Sequence, residues 1–291
     1  MTDMQISVIM PAFNEAAGIG RVLGRLLTSP EGSAGIEIIV AANGCTDDTA
    51  AIARSFGVQV LEIPAPSKTA ALNAADRVVG GDVRIYLDAD TPATPELLRQ
   101  LAAAVGRPGI AAAVPRPVID TAGSTWPVRA YYAVNARLPV FRGRLFGRGI
   151  IALSAEARSR FDRFPEITAD DMFLDAIVSA DEKVEIDAVV PVRAPQRTSD
   201  LIRRLARGRE GNAEFWRFVR SAPPEYCLPV DPVPGPSSWS WLRHVLRRSP
   251  SLVPAAVCYV AIVVLAELKR RSPGWNARSG WGRPEAVQVR R

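Results

Sequence analysis

The sequence QISVIMPAFNEAAGIGRVLGRLL, residues 5–27, has the pattern of a strand followed by a helix. Gln5 to Met10 is a short β-branched run that ends at Pro11, which predicts a buried strand. Asn14 is then placed to cap a helix. The apolar residues of that helix recur at helical spacing: Ile19, Val22, Leu23, Leu26 and Leu27. This stretch therefore predicts a strand–loop–helix unit.

The unit repeats along the first third of the chain. Further strands are predicted at 36–40, 58–63 and 83–87, and the intervening helices at 47–55 and 69–79. Strands that alternate with helices through short connections indicate an α/β fold with a doubly wound, mostly parallel sheet, in which ligands bind at the carboxyl ends of the strands. Those ends hold residues 11–15, 42–47 and 88–90.

The remaining chain is less regular. Residues 108–148 mix prolines, glycines and arginines and are expected to face an acceptor; a strand is predicted at 149–154 and helices at 171–180 and 201–220. Residues 223–238 contain six prolines and are predicted to be a linker. The predicted domains are thus a catalytic domain at 1–222, that linker, and a basic, hydrophobic segment at 239–291.

Charge and cysteine content narrow the function classes. The chain has a formal net charge of +6 and a pI near 9.6, which indicates an anionic partner. Cys45, Cys227 and Cys258 form no CxxC pair and His244 is the single histidine, so neither a disulfide framework nor a zinc site is predicted. The N-terminus has no basic region before a long apolar run, and no cleaved signal peptide is expected.

Asp88-Ala89-Asp90 follows the apolar run that predicts the fourth strand. Two carboxylates spaced two residues apart suit Mg²⁺ or Mn²⁺ held jointly with a diphosphate, because such ions keep water and phosphate oxygens as ligands. The alternative is that both aspartates only cap a strand before the Thr91-Pro92 turn, where Asp is common. The metal prediction therefore depends on the surrounding motifs.

Six ordered segments resemble family 2 glycosyltransferases of the GT-A fold, in the nucleotide-diphospho-sugar transferase superfamily. The segments are VIMPAFNEAAGI (8–19), IIVAANGCTDDT (38–49), SKTAALNAA (67–75), IYLDADT (85–91), GRGIIALSAEA (147–157) and ITADDMFL (167–174). The resemblance covers roughly residues 6–211. It implies a Rossmann-like GT-A sheet and a metal at Asp88 and Asp90.

The resemblance also implies nucleotide-sugar contacts. These would be made by Pro11, Ala12, Asn14, Glu15, Asn43, Lys68, Asp88 and Ala89. The family usually has two acids where this chain has Ala42 and Asn43; Asn43 would accept from the base through its amide oxygen, so a UDP-sugar is the expected donor. Asp47 matches the last acid of that motif, although it is also placed to cap the following helix.

Asp170-Asp171 matches the family's acid pair, and by that match Asp171 is the catalytic base. In an inverting transfer such a carboxylate removes the proton of the acceptor hydroxyl, with Asp170 orienting the pair or contacting the acceptor. The alternative for Asp171 is the N-cap of a helix that begins at Met172. Adjacent acids also raise each other's pKa, which suits a base that works near neutrality.

Basic residues follow the acid pair. Gln196-Arg197 and four later arginines, Arg203, Arg204, Arg207 and Arg209, loosely resemble a Gln and Arg segment of processive relatives, but the Trp expected there is absent. We therefore predict single additions rather than polymer extrusion. These arginines are candidates for diphosphate or phospholipid contact, and a solvated helix face is the open alternative.

An apolar run at 252–268 lies between clusters of basic residues. At about 1.5 Å per residue it reaches roughly 25 Å, less than the usual bilayer core of about 30 Å, and positive charge flanks both ends. An interfacial or re-entrant helix is predicted, with Trp239 and Trp241 at the headgroups. The alternatives are a single span and a helix packed on the catalytic domain.

Together these patterns predict an inverting, non-processive, metal-dependent glycosyltransferase. It would move a sugar from a nucleoside-diphosphate sugar to a lipid-linked or envelope-glycan acceptor at the cytoplasmic face of a membrane, with no nucleic-acid partner. A sugar-phosphate nucleotidyltransferase is the alternative enzyme class, but residues 9–20 lack its Gly-rich signature. A non-enzymatic membrane scaffold would leave the carboxylates without a role.

Overall fold

The computed structural model describes residues 4–27, 34–138, 143–223, 226, 228, 250–273 and 275. Within these residues the strands are β1 (Ile6–Ala12), β2 (Ile36–Asn43), β3 (Gln59–Ile63), β4 (Val83–Leu87), β5 (Ala112–Asp120), β6 (Ile150–Ser154) and β7 (Lys183–Arg193). The helices are α1 (Ile19–Leu26), α2 (Thr49–Ser55), α3 (Lys68–Asp76), α4 (Pro95–Val105), α5 (Trp126–Asn135), α6 (Ala155–Ser159), α7 (Asp170–Ala176), α8 (Thr198–Ser221) and α9 (Val253–Arg271).

The strands form one sheet in the order β3-β2-β1-β4-β6-β5-β7. β1 pairs in parallel with β2 and β4, and β2 with β3. β6 runs antiparallel to both β4 and β5, whereas β7 is parallel to β5. The prediction of a doubly wound, mostly parallel α/β sheet is therefore confirmed.

The core lies on both faces of the sheet. β1 is buried along its whole length, and its alternating side chains enter two different clusters: Val8 and Met10 on one face, and Ile9 on the other. A strand covered on both faces needs apolar residues at every position, which is why ISVIMPA lacks the polar alternation of a half-exposed strand. The continuous apolar run at the start of the sequence follows from this central position.

The regular elements of the first third are confirmed with small shifts at their ends, but two predicted caps are wrong. Helix α1 begins at Ile19 with Gly18 as its N-cap, and Asn14 lies further back in a left-handed conformation with a φ of 52°. Asp48, not Asp47, is the N-cap of α2. The Asn14 side chain instead binds the Thr46 N–H of the neighbouring loop, and Asp47 binds the Ala16 N–H there as well as the N–H and hydroxyl of Thr49 at the start of its own helix.

Five elements were not predicted from the sequence: α4, β5, α5, α6 and β7. β5 contains Pro115 and Pro117, which ordinarily argue against a strand. The structure accommodates them because β6 pairs only with Ala112 and Ala113, so the rest of β5 is an edge on that side. A register shift in its pairing with β7 also falls at Pro115/Arg116. Residues 108–148, which were expected to face an acceptor, thus contain one strand and one helix among the described residues.

Helix α9 packs along the catalytic domain. Its Ala256, Tyr259 and Ile262 join a cluster formed with α5 and α8, and the rings of Tyr131 and Tyr259 stack with centroids 4.8 Å apart. Residues 250–271 are also long and apolar enough to cross a membrane. Most of the predicted linker, together with Trp239 and Trp241, lies outside the described residues.

Candidate active site

The loops that follow β1 and β2 are tied into one unit. The Asn14 side-chain oxygen accepts a hydrogen bond from the Thr46 N–H at 2.8 Å. In the reverse direction, the Glu15 N–H donates to the Thr49 hydroxyl at 2.8 Å and the Ala16 N–H donates to the Asp47 carboxylate at 3.1 Å. The predicted nucleotide loop, including Pro11 and Ala12 at the end of β1, is therefore preformed at the carboxyl edge of the sheet.

Asn43 lies at the end of β2 and is fully buried. Its amide nitrogen donates to the Ala12 carbonyl at 2.9 Å, which fixes the end of β1 against β2. Its amide oxygen has no hydrogen-bond partner among the described residues. An unpaired buried acceptor is costly, and this one lies beside the predicted nucleotide loop. Asn43 thus holds the loop, and its role toward a base stays a prediction.

Lys68 joins two of the predicted site residues. It begins α3, whose N-cap Ser67 accepts from the Ala70 N–H. Its ammonium lies 2.8 Å from the Asp88 carboxylate and 3.0 Å from that of Asp170. Burial opposes the charge, but the neighbouring carboxylates, led by Asp170, raise the pKa of Lys68 above its ordinary value. Lys68 is therefore not the solvated surface lysine that a lone lysine would suggest.

Asp88 and Asp90 lie in a turn directly after β4. The Thr91 N–H donates to the Asp88 carbonyl at 2.9 Å, and the Asp88 N–H donates to the Gly149 carbonyl at 2.8 Å. The Asp88 side chain is 41% exposed, Asp90 is exposed, and Ala89 between them is buried. The pair therefore ends a strand at a turn, which was the alternative to metal binding, and it still presents carboxylates at the edge of the sheet.

The carboxylates fit a divalent cation that shares its ligands with a diphosphate. Among the described residues no cluster of three or more His, Cys, Asp or Glu is arranged to hold a metal ion. Protein side chains alone would thus supply an incomplete shell, which phosphate oxygens and water would complete, as is usual for Mg²⁺. Asp88 and Asp90 would hold such an ion. The Lys68 ammonium already pairs with the Asp88 carboxylate and neutralises part of its negative charge.

Asp170 and Asp171 form the first turn of α7, whose N-cap is Ala169. The prediction that Asp171 caps a helix beginning at Met172 is therefore wrong, because the helix begins at Asp170. One Asp171 carboxylate oxygen accepts from the Gly147 N–H at 2.8 Å and the other from the Met172 N–H at 2.8 Å. The Asp171 carboxylate is thus held in one orientation.

Burial shapes the protonation of both acids. It raises the pKa of the Asp170 carboxyl to about 6, although the Lys68 ammonium acts in the opposite direction. Burial likewise raises the pKa of Asp171, against the lowering effects of Lys68 and of the Gly147 N–H. Carboxylates with raised pKa values near a cluster of charged groups are candidates for general base catalysis.

Several groups at this site had no role predicted from the sequence. Gly147 and Gly149 have left-handed backbones with φ near 72° and 73°, and they contact Asp171 and Asp88 through their main chains. Thr168, two residues before Asp170, donates through both its N–H and its hydroxyl to the Glu214 carboxylate of α8. The glycines of GRLFGRG were the available signal, because repeated glycines indicate left-handed backbone positions.

The arginines after the acid pair do not converge on the acids directly. Arg203, Arg204 and Arg207 lie on α8, before Gly211, which packs against Thr168. Burial lowers the pKa of Arg207, and the like charges of Arg204 and Arg203 lower it further. The three side chains thus bring like charges together on α8. Arg209 instead pairs with Glu267 of α9 at 3.5 Å.

Comparisons with known proteins give one family match and a structure of similar fold. A profile described as "Glycosyl transferase family 2" matches residues 7–158. A mannosyltransferase from Pyrobaculum calidifontis, solved with GDP-Man and Mn²⁺, superposes with a TM-score of 0.61 and 19% identity; the match covers 92% of this chain and 87% of that one. Glucosyl-3-phosphoglycerate synthase from Mycobacterium tuberculosis, solved with Mn²⁺, UDP and glucosyl-3-phosphoglycerate, gives 0.49 and 24%, covering 67% and 72%. No curated protein matches the sequence.

Proposed function

The chain belongs to glycosyl transferase family 2, and on that premise we propose that it is an inverting, non-processive enzyme that transfers a sugar from a nucleoside-diphosphate sugar. One observation carries the proposal: Lys68 bridges Asp88, after β4, and Asp170, in α7, at the carboxyl edge of the sheet. This contact joins one of the predicted metal carboxylates to the acid beside the predicted base, which supports a single charged site. Family membership favours glycosyl transfer over nucleotidyl transfer.

The side chains divide the chemistry between them. The preformed loop of Asn14 and Glu15 would hold the nucleoside, and Asp88 with Asp90 would hold Mg²⁺ or Mn²⁺ against the diphosphate. A bound cation would neutralise the negative charge that develops on the departing diphosphate. Asp171 would take the proton of the acceptor hydroxyl as that oxygen attacks the anomeric carbon from the opposite face. The departing group is the nucleoside diphosphate.

The donor is tested by thermal unfolding in the presence of UDP, GDP and their sugars, with and without Mn²⁺. A ligand present at about 100 times its Kd stabilises the folded state by about 2.7 kcal/mol, which raises the Tm by several degrees. We expect this rise only when nucleotide and metal are both present, with UDP compounds giving the largest shift. The proposal loses its main support if no nucleoside diphosphate stabilises the protein in a metal-dependent way.

The acceptor is proposed to lie at the cytoplasmic face of a membrane, as a lipid-linked or envelope glycan. Helix α9 supports this location, because one face packs on α5 and α8 while the other is exposed. The exposed apolar side chains recur at helical spacing: Val253, Val257, Val264, Leu265 and Leu268. Lys269 follows them and suits anionic headgroups, whereas Arg270 and Arg271 pair with Glu267. A helix anchored along one face suits an interfacial position better than a span.

We expect Val264→Asp to weaken binding to vesicles of anionic phospholipid by about tenfold, because burying one valine side chain contributes at least about 1.5 kcal/mol. Val264 is 50% exposed, so the change leaves the packed face of α9 intact. Val78→Asp is the matched control, since Val78 is 47% exposed and lies just after the C-terminal end of α3, away from α9 in the chain. Cosedimentation measures both variants, and equal binding by wild type and Val264→Asp would exclude this face.

A further inference from the structure

The segment from Gly143 to Gly149 connects the two halves of the candidate site. The Gly149 carbonyl accepts from the Asp88 N–H at 2.8 Å, and the Gly147 N–H donates to the Asp171 carboxylate at 2.8 Å. Only Arg148 separates the two contacting glycines along the chain. This segment, called here the glycine segment, therefore contacts both the turn of Asp88 and the carboxylate of Asp171.

Glycines make such a segment pliable unless other contacts fix it. Gly143, Gly147 and Gly149 all have φ values between 67° and 73°, a region that side chains disfavour. At Gly149 an added Cβ would overlap the Thr91 hydroxyl, so the chain passes too close to the turn after Asp88 for any larger residue. The backbone course of the segment is thus demanding, and something must hold it in place.

Asp175 supplies that fixation from one turn further along α7. One of its carboxylate oxygens accepts from the Leu145 N–H at 2.8 Å, and the other lies 3.3 Å from the Arg144 guanidinium. Leu145 itself is fully buried. Asp171 and Asp175 therefore bind the glycine segment at two points, from successive turns of the same helix.

Lys183 at the start of β7 completes the cluster. Its ammonium lies 3.0 Å from the Asp175 carboxylate and 2.6 Å from the Asp175 carbonyl, and only 2% of the lysine side chain is exposed. A buried lysine needs a partner charge, and Asp175 provides it. The predicted catalytic chemistry uses neither residue, yet the cluster connects α7, β7 and the glycine segment.

We propose that Asp175, supported by Lys183, is a positioning residue that fixes the glycine segment and thereby the spacing between Asp88 and Asp171. The proposal rests on the function proposed above, since it assigns the base to Asp171. Asp175 touches neither donor nor acceptor in this arrangement. It acts through the Leu145 N–H and the backbone that leads to Gly147.

Two neutral double variants separate positioning from simple loss of a buried charge. Asp175→Asn with Lys183→Met removes both charges and keeps an oxygen that accepts from the Leu145 N–H. Asp175→Ala with Lys183→Met removes the same charges and also the acceptor. Both variants lack the buried pair, so a difference between them reports on the Leu145 hydrogen bond. Asp187→Asn, at an exposed position of β7, is the control for an aspartate substitution.

The alanine-containing double variant is expected to lose about 10–100-fold in kcat with an unchanged KM for the donor, the range seen when a supporting hydrogen bond is removed. The asparagine-containing variant should stay close to wild type. Amide hydrogen exchange at Leu145 and Gly147 should accelerate in the alanine-containing variant alone. Equal kcat values in the two folded double variants would overturn the proposal.

The exchange measurement also separates this proposal from the proposed function. If the wild-type protein turns over no nucleoside-diphosphate sugar, the proposed function fails, and amide exchange at Gly147 still decides whether Asp175 fixes the segment. Faster exchange in the alanine-containing variant supports the fixation, and equal exchange in both double variants overturns it.

Discussion

Asp171→Asn is expected to bind the nucleotide sugar as the wild type does and to lower kcat by about 10²–10⁴-fold, the usual contribution of a general base. The asparagine keeps the shape of the side chain and one oxygen for the Gly147 N–H, but it does not accept the acceptor's proton. Steady-state transfer rates and donor titrations measure the two effects separately.

The control for this change is Asp181→Asn, an exposed aspartate in the turn before β7. It should leave both kcat and donor affinity unchanged. Undiminished transfer by Asp171→Asn would remove Asp171 as the base, and loss of donor binding would place its main role in the donor site instead.

The assignment of Asp171 as the base also predicts how kcat/KM of the wild type depends on pH. A base must be ionised to accept a proton, so kcat/KM falls as the pH drops through its pKa. Burial raises the pKa of Asp171, and it raises that of the adjacent Asp170 to about 6. We therefore expect kcat/KM to decline at a pH above the range of an exposed aspartate, which titrates near about 3.9. A rate that stays flat down to about pH 4 would contradict this.

Asp88→Asn should abolish the metal-dependent part of nucleotide binding. Asparagine retains an oxygen ligand but removes the negative charge that a divalent cation requires, while Lys68 stays paired with Asp170. A cation at a departing diphosphate contributes several kcal/mol to transition-state stabilisation, so kcat/KM should fall by about two to three orders of magnitude. Thermal unfolding with UDP, with and without Mn²⁺, measures the binding effect.

Asp48→Asn is the matched control, because Asp48 is exposed at the start of α2 and its side chain forms no cap hydrogen bond. This variant should retain the stabilisation by UDP and Mn²⁺. If Asp88→Asn retains it as well, the cation is held elsewhere, and the turn after β4 serves only to end the strand.

The sequence was most informative where structure is local. β1 to β4 and their helices were predictable because the side-chain period of each element is visible within a few residues. Asn14 and Asp47 were recognised as loop residues, but their partners in the other loop were not: Asn14 binds the Thr46 N–H, and Asp47 binds the Ala16 N–H in addition to the Thr49 N–H of its own helix. Capping rules consider only neighbours in the chain and therefore assigned both side chains to their own helices.

Elements that depend on distant pairing were missed. β5 and β7 pair from Ala112 opposite Lys183 onward. β5 shows no strong strand pattern by itself, whereas KVEIDAVV at the start of β7 does alternate and was overlooked. Pro115 and Pro117 fit β5 only because one edge of that strand is mostly unpaired. The sequence also did not show that one face of α9 packs on α5 and α8 while the other is exposed, because an apolar run does not indicate which side has a protein neighbour.

The sequence by itself determined the family, the parallel sheet and the set of acids at its carboxyl edge, because ordered motifs and side-chain periods are properties of the chain. Only the tertiary structure decided that Lys68 bridges Asp88 and Asp170 and that the glycine segment connects Asp88 with Asp171. These contacts join residues far apart in the chain. They form only when the loops after several strands meet at one edge of the sheet, and no local pattern records them.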